Sequence, residues 1–335
     1  MTRPDVAEAG SLAGMSAARL HEVEALAARA PLPAAVGRVR LGTAGWTDRT
    51  LLASHAFYPR GASTAEARLR HYAAHFPLVE VDATYYTLVA PSVAERWVEW
   101  TPAAFTFDVK AHPVLTGHPV EVARLPADLR ARLGPSPERG RVRADALPPG
   151  VASAIEERFR AMVEVLHRAG RLGCVMLQYP PWVGATRGGV RRLEATAERW
   201  AGIPLAVEFR HRSWLAPERR ERVLDVLRRR GLSYVVVDEP DVPGGGVPPI
   251  VAATTDRLAV VRFHGHNVAG WSRRGATVHE RFDWLYSGAE LREWVPRVRA
   301  LAAQAAEVHA VFNNCVRNFA VLDAKALGAL LVGVG

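Results

Sequence analysis

The feature that most constrains the fold is a regular alternation of short apolar segments with helical patterns. From Arg38 onward, runs rich in β-branched residues alternate with stretches in which apolar residues recur every three or four positions. A strand followed by a helix and then by another strand is the unit from which parallel sheets are built. The sequence therefore predicts an α/β fold with a parallel sheet.

Eight strands can be placed, with helical patterns between most of them. The predicted strands cover 38–45, 78–86, 104–110, 172–179, 204–210, 233–238, 258–265 and 308–314. No strand is followed by a GxGxxG motif or a P-loop, the phosphate-binding turns of open doubly wound sheets. This pattern favours a (β/α)8 barrel of the TIM type, in one domain covering residues 37–335.

Three segments depart from this rhythm. Residues 113–150 are rich in proline and predict a long loop after strand three that covers a pocket mouth. Residues 240–253 contain three consecutive glycines, so the sixth helix is expected to be short or missing. Residues 1–36 are Ala-rich and predict an N-terminal extension with one amphipathic helix. Because this extension has few large apolar residues, we expect that it can be removed without unfolding the barrel.

Composition limits the class of protein and its partners. No apolar run is long enough for a membrane span, and the first residues do not form a signal peptide, so a cytoplasmic protein with no membrane partner is predicted. The two cysteines are too few for a disulfide framework, and we expect both as thiols. The net charge is +9, but 41 of the 43 basic residues are arginine, which is typical of GC-rich coding. The basic charge is therefore weak support for nucleic-acid binding.

Polar side chains recur at alternate positions near the ends of the predicted strands, where a barrel places its active site. These residues are Glu80, Asp82, Thr84, Asp108, Lys110, Gln178, Glu208, Arg210, Asp238, Arg262, His264, His266 and Asn313. Charged groups are rarely buried unless they are paired. A buried ion network that only supports the barrel is one interpretation, mainly for Glu80, Asp108 and Arg262. A functional site at the strand ends is the other.

The functional interpretation assigns roles to particular residues. The candidate catalytic residues are Glu208, Asp238, Lys110 and His264. The candidate ligand-binding residues are Trp46, Asp82, Tyr86, His112, Gln178, Arg210, Trp214, Arg262, Asn313 and Asn314. Glu208 is expected to lie at the centre, so that Glu208→Gln would leave the fold intact and abolish ligand binding or turnover.

Aromatic side chains in the loops after the strands suggest a ring-bearing ligand, either a sugar or a nucleobase. They are Trp46, Trp182, Trp214 and Trp271, together with Tyr85, Tyr86 and Tyr179. The alternative is that these rings only pack the loops onto the barrel rim. His112, His118 and His211 begin loops and are expected to bind anions or water.

No cofactor and no structural metal are predicted from the spacing of potential ligands. A divalent metal stays an alternative, because His264 and His266 could lie on one strand face with Glu80, Glu208 or Asp238 nearby. Lys110 could alternatively form a Schiff base if Arg210 lies beside it.

Several motifs resemble those of the YecE-like proteins, the family also named domain of unknown function 72. The matching segments are LGTAGW at 41–46, FYP at 57–59, VEVD at 79–82 with Tyr85 and Tyr86, FTFDVK at 105–110, LQYPP at 177–181, AVEFRH at 206–211 with Trp214, VRFHG at 261–265, and VFNN at 311–314 with NFA at 318–320. The resemblance covers about 38–330 and implies a TIM-type barrel, but no reaction. Asp82 stands where the family more often has Asn, and Cys315 where it often has His.

Three functions fit the sequence. The first is a hydrolase-type acid/base enzyme acting on a sugar- or phosphate-bearing small molecule at the barrel mouth. The second is a nucleic-acid-binding or nuclease-like protein that uses the arginine-rich surface and the Trp rim. The third is a protein that binds an anionic or sugar-like ligand without turnover. The oligomeric state is left open.

Overall fold

The computed structural model describes residues 16–133, 140–242 and 246–333, and its centre is a closed barrel of parallel strands. The barrel closes because the first strand pairs with both the second and the last. The barrel strands are β1 (Val39–Ala44), β2 (Leu78–Val81), β3 (Thr106–Lys110), β4 (Leu172–Gln178), β5 (Leu205–Glu208), β6 (Ser233–Asp238), β7 (Leu258–Phe263) and β8 (Glu307–Phe312). The predicted (β/α)8 barrel is confirmed.

Helices surround the barrel and fill most of the connections between strands. They are α1 (Ala17–Ala27), α2 (Arg49–Ser54), α3 (Ala65–His75), α4 (Ala83–Tyr86), α5 (Pro91–Trp100), α6 (Pro113–Thr116), α7 (Ala127–Ala131), α8 (Pro149–Arg168), α9 (Arg187–Arg199), α10 (Arg220–Arg229), α11 (Val268–Ser272), α12 (Val278–Arg281), α13 (Gly288–Ala302) and α14 (Phe319–Val332). Among the described residues, no helix is long and apolar enough to cross a membrane.

Neighbouring residues of a barrel strand face opposite sides, which separates the apolar core from the polar interior. On β7, Phe263 faces outward and packs against Trp294 of α13, with ring centroids 5.0 Å apart. The preceding residue, Arg262, faces inward, is completely buried, and binds Glu80 of β2. The outer face therefore carries the apolar packing, and the interior carries charge.

The second strand is shorter than predicted. It ends at Val81, and the residues expected to continue it as far as Tyr86 form the single turn α4 instead. The Thr84 hydroxyl is within 2.7 Å of the carbonyl oxygens of both Val81 and Lys110, which fixes this turn against β3. The placement of Asp82 and Thr84 on strand two is therefore wrong, although Asp82 still reaches the barrel mouth.

The long connection after β3 lies where the sequence predicts it, but it contains short elements of its own. Besides α6 and α7, Val120–Glu121 pairs with Arg141–Val142 in an antiparallel ribbon. A small separate core supports the segment; it consists of Val120, Leu125, Leu129, Leu147, Val151 and Ile155. Between β6 and β7 the described residues contain no helix, as expected from the glycines there.

The N-terminal helix α1 packs against α14. Val23 and Leu26 are buried in this contact, and Arg19 Nη2 lies 2.6 Å from Glu290 Oε2 on α13. Ala35–Val36 then adds a short antiparallel strand to β1. The removal of residues 1–36 without unfolding of the barrel stays a prediction. The helix nevertheless buries more apolar surface than the sequence suggests. Residues 1–15 lie outside the described part of the chain.

Candidate active site at the barrel mouth

Arg262 is the centre of a buried charge network in the barrel. Its Nε and Nη2 atoms bind the two carboxylate oxygens of Glu80 at 2.8 and 2.7 Å, and its Nη1 binds Glu208 Oε2. All three side chains are almost completely buried. A buried arginine needs such carboxylate partners, so the network joins β2, β5 and β7 across the interior.

Glu208 acts as an anchor for cations. Its second oxygen, Oε1, accepts a bond of 3.0 Å from Arg210 Nη1, and the same nitrogen lies 2.9 Å from Glu239 Oε2. Burial would raise the pKa of Glu208, but Arg262, followed by His264 and Arg210, holds it well below its usual value. Glu208 lies at the predicted centre, but it is a carboxylate fixed between two guanidinium groups and is poorly suited to be a general base.

Lys110 and Asp82 form the second ion pair at the mouth. Lys110 Nζ lies 3.0 Å from Asp82 Oδ1 and 5.2 Å from the centre of the Tyr85 ring. The pairing outweighs burial for both groups, so the pKa of Lys110 is raised and that of Asp82 is lowered. Both side chains therefore carry their charges at neutral pH. An amine held in this form is not the nucleophile that the Schiff-base alternative requires.

The mouth holds one more carboxylate than it holds cations. Burial raises the pKa of Glu239, and burial together with the Asp82 charge raises the pKa of Glu80 to about 8 despite its two bonds from Arg262. The excess negative charge therefore falls on buried carboxylates whose surroundings oppose their ionisation. The carboxylates are Glu80, Asp82, Glu208 and Glu239, and the cations are Lys110, Arg210 and Arg262.

His264 and Asn313 lie at the mouth as predicted and contact each other. The Asn313 amide nitrogen donates to His264 Nδ1 at 2.9 Å, which leaves the ring proton on Nε2, 3.5 Å from Glu208 Oε1. Burial lowers the pKa of His264 to about 4, so the ring is neutral. Gln178 Oε1 accepts a hydrogen bond from Arg262 Nη1 at 3.5 Å.

Asp238 does not join this group. The pairing of β6 with β7 places Val237 beside the inward Arg262 and Asp238 beside the outward Phe263. Asp238 therefore faces away from the interior, where it accepts from Tyr286 Oη at 2.7 Å and binds His266 at 2.9 Å. The next residue, Glu239, takes the position at the mouth that was predicted for Asp238.

The two histidines of strand seven also separate. Gly265 adopts a φ of +80°, so the chain turns after His264 and carries His266 toward Asp238 and Glu290. These two carboxylates and their hydrogen bonds overcome the effect of burial and raise the pKa of His266 to about 9. Among the described residues, no group of three His, Cys, Asp or Glu side chains is placed to hold a metal ion.

The aromatic residues divide into packing and mouth residues. Trp214 stacks on Phe209 at 4.4 Å, and Trp46 packs edge-on against Trp97 at 5.6 Å, so both support the barrel wall and not the mouth. Trp271 lies over Arg210, with the guanidinium carbon 4.7 Å from the ring centre. Trp182, Tyr85 and Tyr86 line a cavity beside the mouth.

Two other predicted residues serve the scaffold. Asn314 is completely buried, and its amide nitrogen lies 2.6 Å from Asp323 Oδ2 of α14. Asp108 lies deeper in the barrel and binds His309 of β8 at 2.9 Å, so for Asp108 the supporting role is the one observed.

His118 lies at the mouth; the sequence analysis expects it to bind anions or water but does not place it among the candidate site residues. Its Nδ1 lies 2.9 Å from the Thr116 hydroxyl, and Tyr85 and Trp182 pack against its ring. Burial, followed by the charges of Lys110 and Arg210, lowers its pKa to about 4. His112, which was predicted, begins α6 beside it, and its pKa is lowered to about 4 by burial. The proline-rich loop after a strand was the available signal for His118.

The fold and this mouth together define a (β/α)8 barrel whose polar residues converge at the carboxyl ends of the strands. The chain belongs to the DUF72 family, described as proteins of unknown function, whose model matches residues 40–333. UPF0759 protein YunF of Bacillus subtilis (strain 168) is 30% identical over 279 residues, covering 82% of this chain and 88% of YunF.

Solved structures of the family have the same fold. A DUF72 family protein from Thermotoga maritima MSB8 has a TM-score of 0.68 at 29% identity, covering 88% of this chain and 99% of that one. A DUF72 family protein from Enterococcus faecalis V583 has a TM-score of 0.71 at 24% identity, covering 88% and 95%.

Proposed function

We propose that the protein is a hydrolase-type enzyme acting on a small molecule whose anionic group, a phosphate or a carboxylate, binds at the barrel mouth. The observation that carries the proposal is that Lys110, the last residue of β3, and Arg210, just after β5, lie close to His118. The ring of Tyr85 contacts both Lys110 Nζ, at 5.2 Å, and the ring of His118, at 5.4 Å, and the charges of Lys110 and Arg210 lower the pKa of His118. The two cations can hold an anion, and the bound anion offsets their charges and raises the pKa of His118, so that its ring can take up a proton.

The two cations are fixed and still reach solvent. Lys110 is held by Asp82, and Arg210 by Glu208 and Glu239, while each side chain keeps about a tenth of its surface exposed, 11% and 12% respectively. Their direction is therefore set before a ligand arrives, which lowers the cost of ordering them on binding. Trp271 stacks on Arg210 and supports its plane.

His118 is the group assigned to proton transfer. In the hydrolysis that we propose, His118 takes a proton from water, the water oxygen bonds to the reacting centre of the ligand, and the bond to the leaving group breaks. The proton then passes to the leaving group, which restores the neutral ring. Lys110 and Arg210 stabilise the negative charge that develops. Glu208 contributes by orienting Arg210 and Arg262.

Binding and hydrolysis can be tested separately. Ribose 5-phosphate and inorganic phosphate are titrated into the protein by calorimetry, and phosphate release from the ester is followed by 31P NMR. Lys110→Met and Arg210→Gln are expected to lose binding of both. His118→Asn should keep binding and lose hydrolysis by about 100-fold or more.

Arg143→Gln is the matched control, because Arg143 is an exposed arginine paired with Asp145 and lies outside the mouth. The proposal fails if phosphate and its ester do not bind, or if His118→Asn hydrolyses the ester as fast as the unchanged protein. Binding that depends on Lys110 with no hydrolysis of any ester would leave a ligand-binding protein without turnover and would contradict the enzyme.

A further inference from the structure

The cavity beside the mouth is formed by the long connection after β3 together with α4 and the loop after β4. Its volume is about 170 Å³ and it opens to solvent, so it has room for one planar ring. It is lined by Tyr85, Tyr86, His112, Pro113, His118, Pro119, Val120, Glu121, Arg124, Leu125, Arg141 and Trp182. The hydrolase proposal uses only His118 from this set.

We infer that this cavity is a subsite for a planar heteroaromatic ring, and that the ligand of the barrel is a nucleoside monophosphate or a close chemical equivalent. The inference rests on the proposed function only for the position of the phosphate. The ring position is argued from the cavity itself.

Exposed aromatic surface is concentrated in this cavity. Among the described residues, the large apolar side chains that remain exposed include two aromatic ones, Tyr86 at 41% and Trp182 at 61%, and both line the cavity. The other eight tryptophans, all within the described residues, are buried or half-buried. Leaving a tryptophan in water is unfavourable unless something covers it, and a stacked base is a suitable cover.

The polar lining favours a nucleobase over a sugar. A sugar ring needs carboxylate or amide side chains for its hydroxyl groups, and the described residues of the lining include no Asp, Asn or Gln. Its one carboxylate, Glu121, is already paired with Arg124 at 2.9 Å. What remains is aromatic faces, two neutral imidazoles and the guanidinium groups of Arg124 and Arg141. Arg124 lies 5.1 Å from the centre of the Tyr86 ring. Such groups bind flat rings by stacking and by a few hydrogen bonds.

The cavity and the mouth share a wall. Tyr85 lines the cavity, and its ring also contacts Lys110. His118 lines the cavity too, and the charges of Lys110 and Arg210 lower its pKa. A ligand with its ring between Trp182 and Tyr86 would therefore present its other end to the two cations. A base joined through a ribose to one phosphate has this arrangement.

The experiment compares three probes, adenosine 5′-monophosphate, adenosine and inorganic phosphate, by isothermal calorimetry on the full chain. Adenosine 5′-monophosphate should bind more tightly than either fragment. Trp182→Ala should weaken adenosine and its monophosphate by at least fivefold and leave phosphate unchanged, because stacking on the indole is lost. Val332→Ala, which shortens an exposed apolar side chain on α14, is the control and should change none of them.

Each failure has a separate meaning. Phosphate binding that depends on Lys110, with adenosine 5′-monophosphate no tighter than phosphate, would overturn the subsite and leave the proposed function standing. Adenosine binding that depends on Trp182, with no phosphate binding, would support the subsite and overturn the proposed function. If no probe binds at millimolar concentration, both proposals are overturned. If Trp182→Ala weakens all three probes equally, only the subsite is overturned. A short single-stranded oligonucleotide that binds more tightly than the mononucleotide would overturn the mononucleotide assignment.

Discussion

At the residue scale, the role of Glu208 is set by its two arginine partners. One oxygen is bound by Arg262 and the other by Arg210, and the side chain has no exposed surface. Removing one member of such a buried network leaves the partners uncompensated, which typically costs about 3–5 kcal/mol. The structure shows the supporting role in the ion network that the sequence expectation set aside, and the role of Glu208 in ligand binding stays a prediction.

We therefore expect Glu208→Gln to lower both stability and ligand binding. The amide keeps the size of the side chain but removes the charge that neutralises Arg262 and orients Arg210. Urea unfolding should show a loss of several kcal/mol, and phosphate affinity should fall in the same variant. Asp145→Asn, at an exposed pair with Arg143, is the control and should do neither. An unchanged unfolding midpoint for Glu208→Gln would contradict the network.

His118 and His112 form a natural matched pair for titration. The pKa of each is lowered to about 4, but only for His118 do Lys110 and Arg210 contribute. An anion at the mouth offsets those two charges, so it should raise the pKa of His118 and leave that of His112 in place. NMR titration of the ring protons, with and without phosphate, measures both. Equal shifts of the two rings, or none, would contradict binding of the anion at these cations.

At the scale of elements, strand six shows why part of the site escapes sequence analysis. Hydrophobic patterning predicts the number and order of the strands and the position of the long connection. It also predicts that four polar residues meet at the mouth: Lys110, Arg210, Arg262 and His264. The run from Tyr234 to Val237 is apolar at every position, because both faces of a barrel strand are buried. Such a run does not reveal which of the two following acids faces inward, and a shift of one residue exchanges the faces.

Asp238 and Glu239 test this assignment directly. Asp238→Asn should lower the melting temperature, because it weakens the bonds to Tyr286 and His266, and should leave phosphate affinity unchanged. Glu239→Gln removes one of the two carboxylates that hold Arg210 and should weaken phosphate binding severalfold. Calorimetry and thermal unfolding of both variants provide the measurements. A change in phosphate affinity as large in Asp238→Asn as in Glu239→Gln would contradict the register.

The pair of Asp108 with His309 joins β3 to β8 inside the barrel. Although burial opposes it, Asp108, with Glu307, raises the pKa of His309 to about 9 from its ordinary 6.5. A group whose pKa is higher in the folded than in the unfolded protein stabilises the folded state. This contribution is complete below the unfolded pKa and is lost as the pH rises through the folded pKa. The stabilisation, of roughly 3 kcal/mol, should therefore fall between pH 6.5 and 9.

His309→Gln isolates this contribution. The difference in the free energy of unfolding between the unchanged protein and His309→Gln should be greatest near pH 6 and shrink toward pH 9. His266, which has a similar pKa, is present in both proteins and cancels from the difference. A difference that is constant across this range would show that His309 is neutral in the folded state.

At the scale of the whole molecule, charge is distributed more evenly than the net value of +9 suggests. Several exposed arginines are paired with acids on neighbouring elements, for example Arg158 with Asp128 and Arg230 with Glu194 and Glu198. Paired arginines release few counterions when they meet nucleic acid, so a nucleic-acid partner gains little support from the net charge. The nucleic-acid alternative stays a prediction that a salt titration of oligonucleotide binding can test.

Removal of residues 1–36 should leave the barrel folded but less stable. The barrel strands all lie beyond this segment, whereas Val23 and Leu26 of α1 are buried against the rest of the chain. Each buried side chain of this size contributes about 1.5–3 kcal/mol, so a loss of several kcal/mol is expected in urea unfolding. Arg19→Ala, which removes only the bond to Glu290, should cost much less. A truncated protein recovered only as aggregate would contradict the prediction.

The contact of α1 with α14 also orders events during protein synthesis. A ribosome adds roughly 5–20 residues each second, so α1 emerges well before the segment that it packs against. The first strand, β1, likewise has no partner on one side until β8, its neighbour in the closed sheet, has been synthesised. Until the last helix leaves the exit tunnel, the nascent chain therefore displays an open sheet edge and an uncovered apolar helix. Chaperones that recognise such surfaces have a window of some tens of seconds in which to bind it.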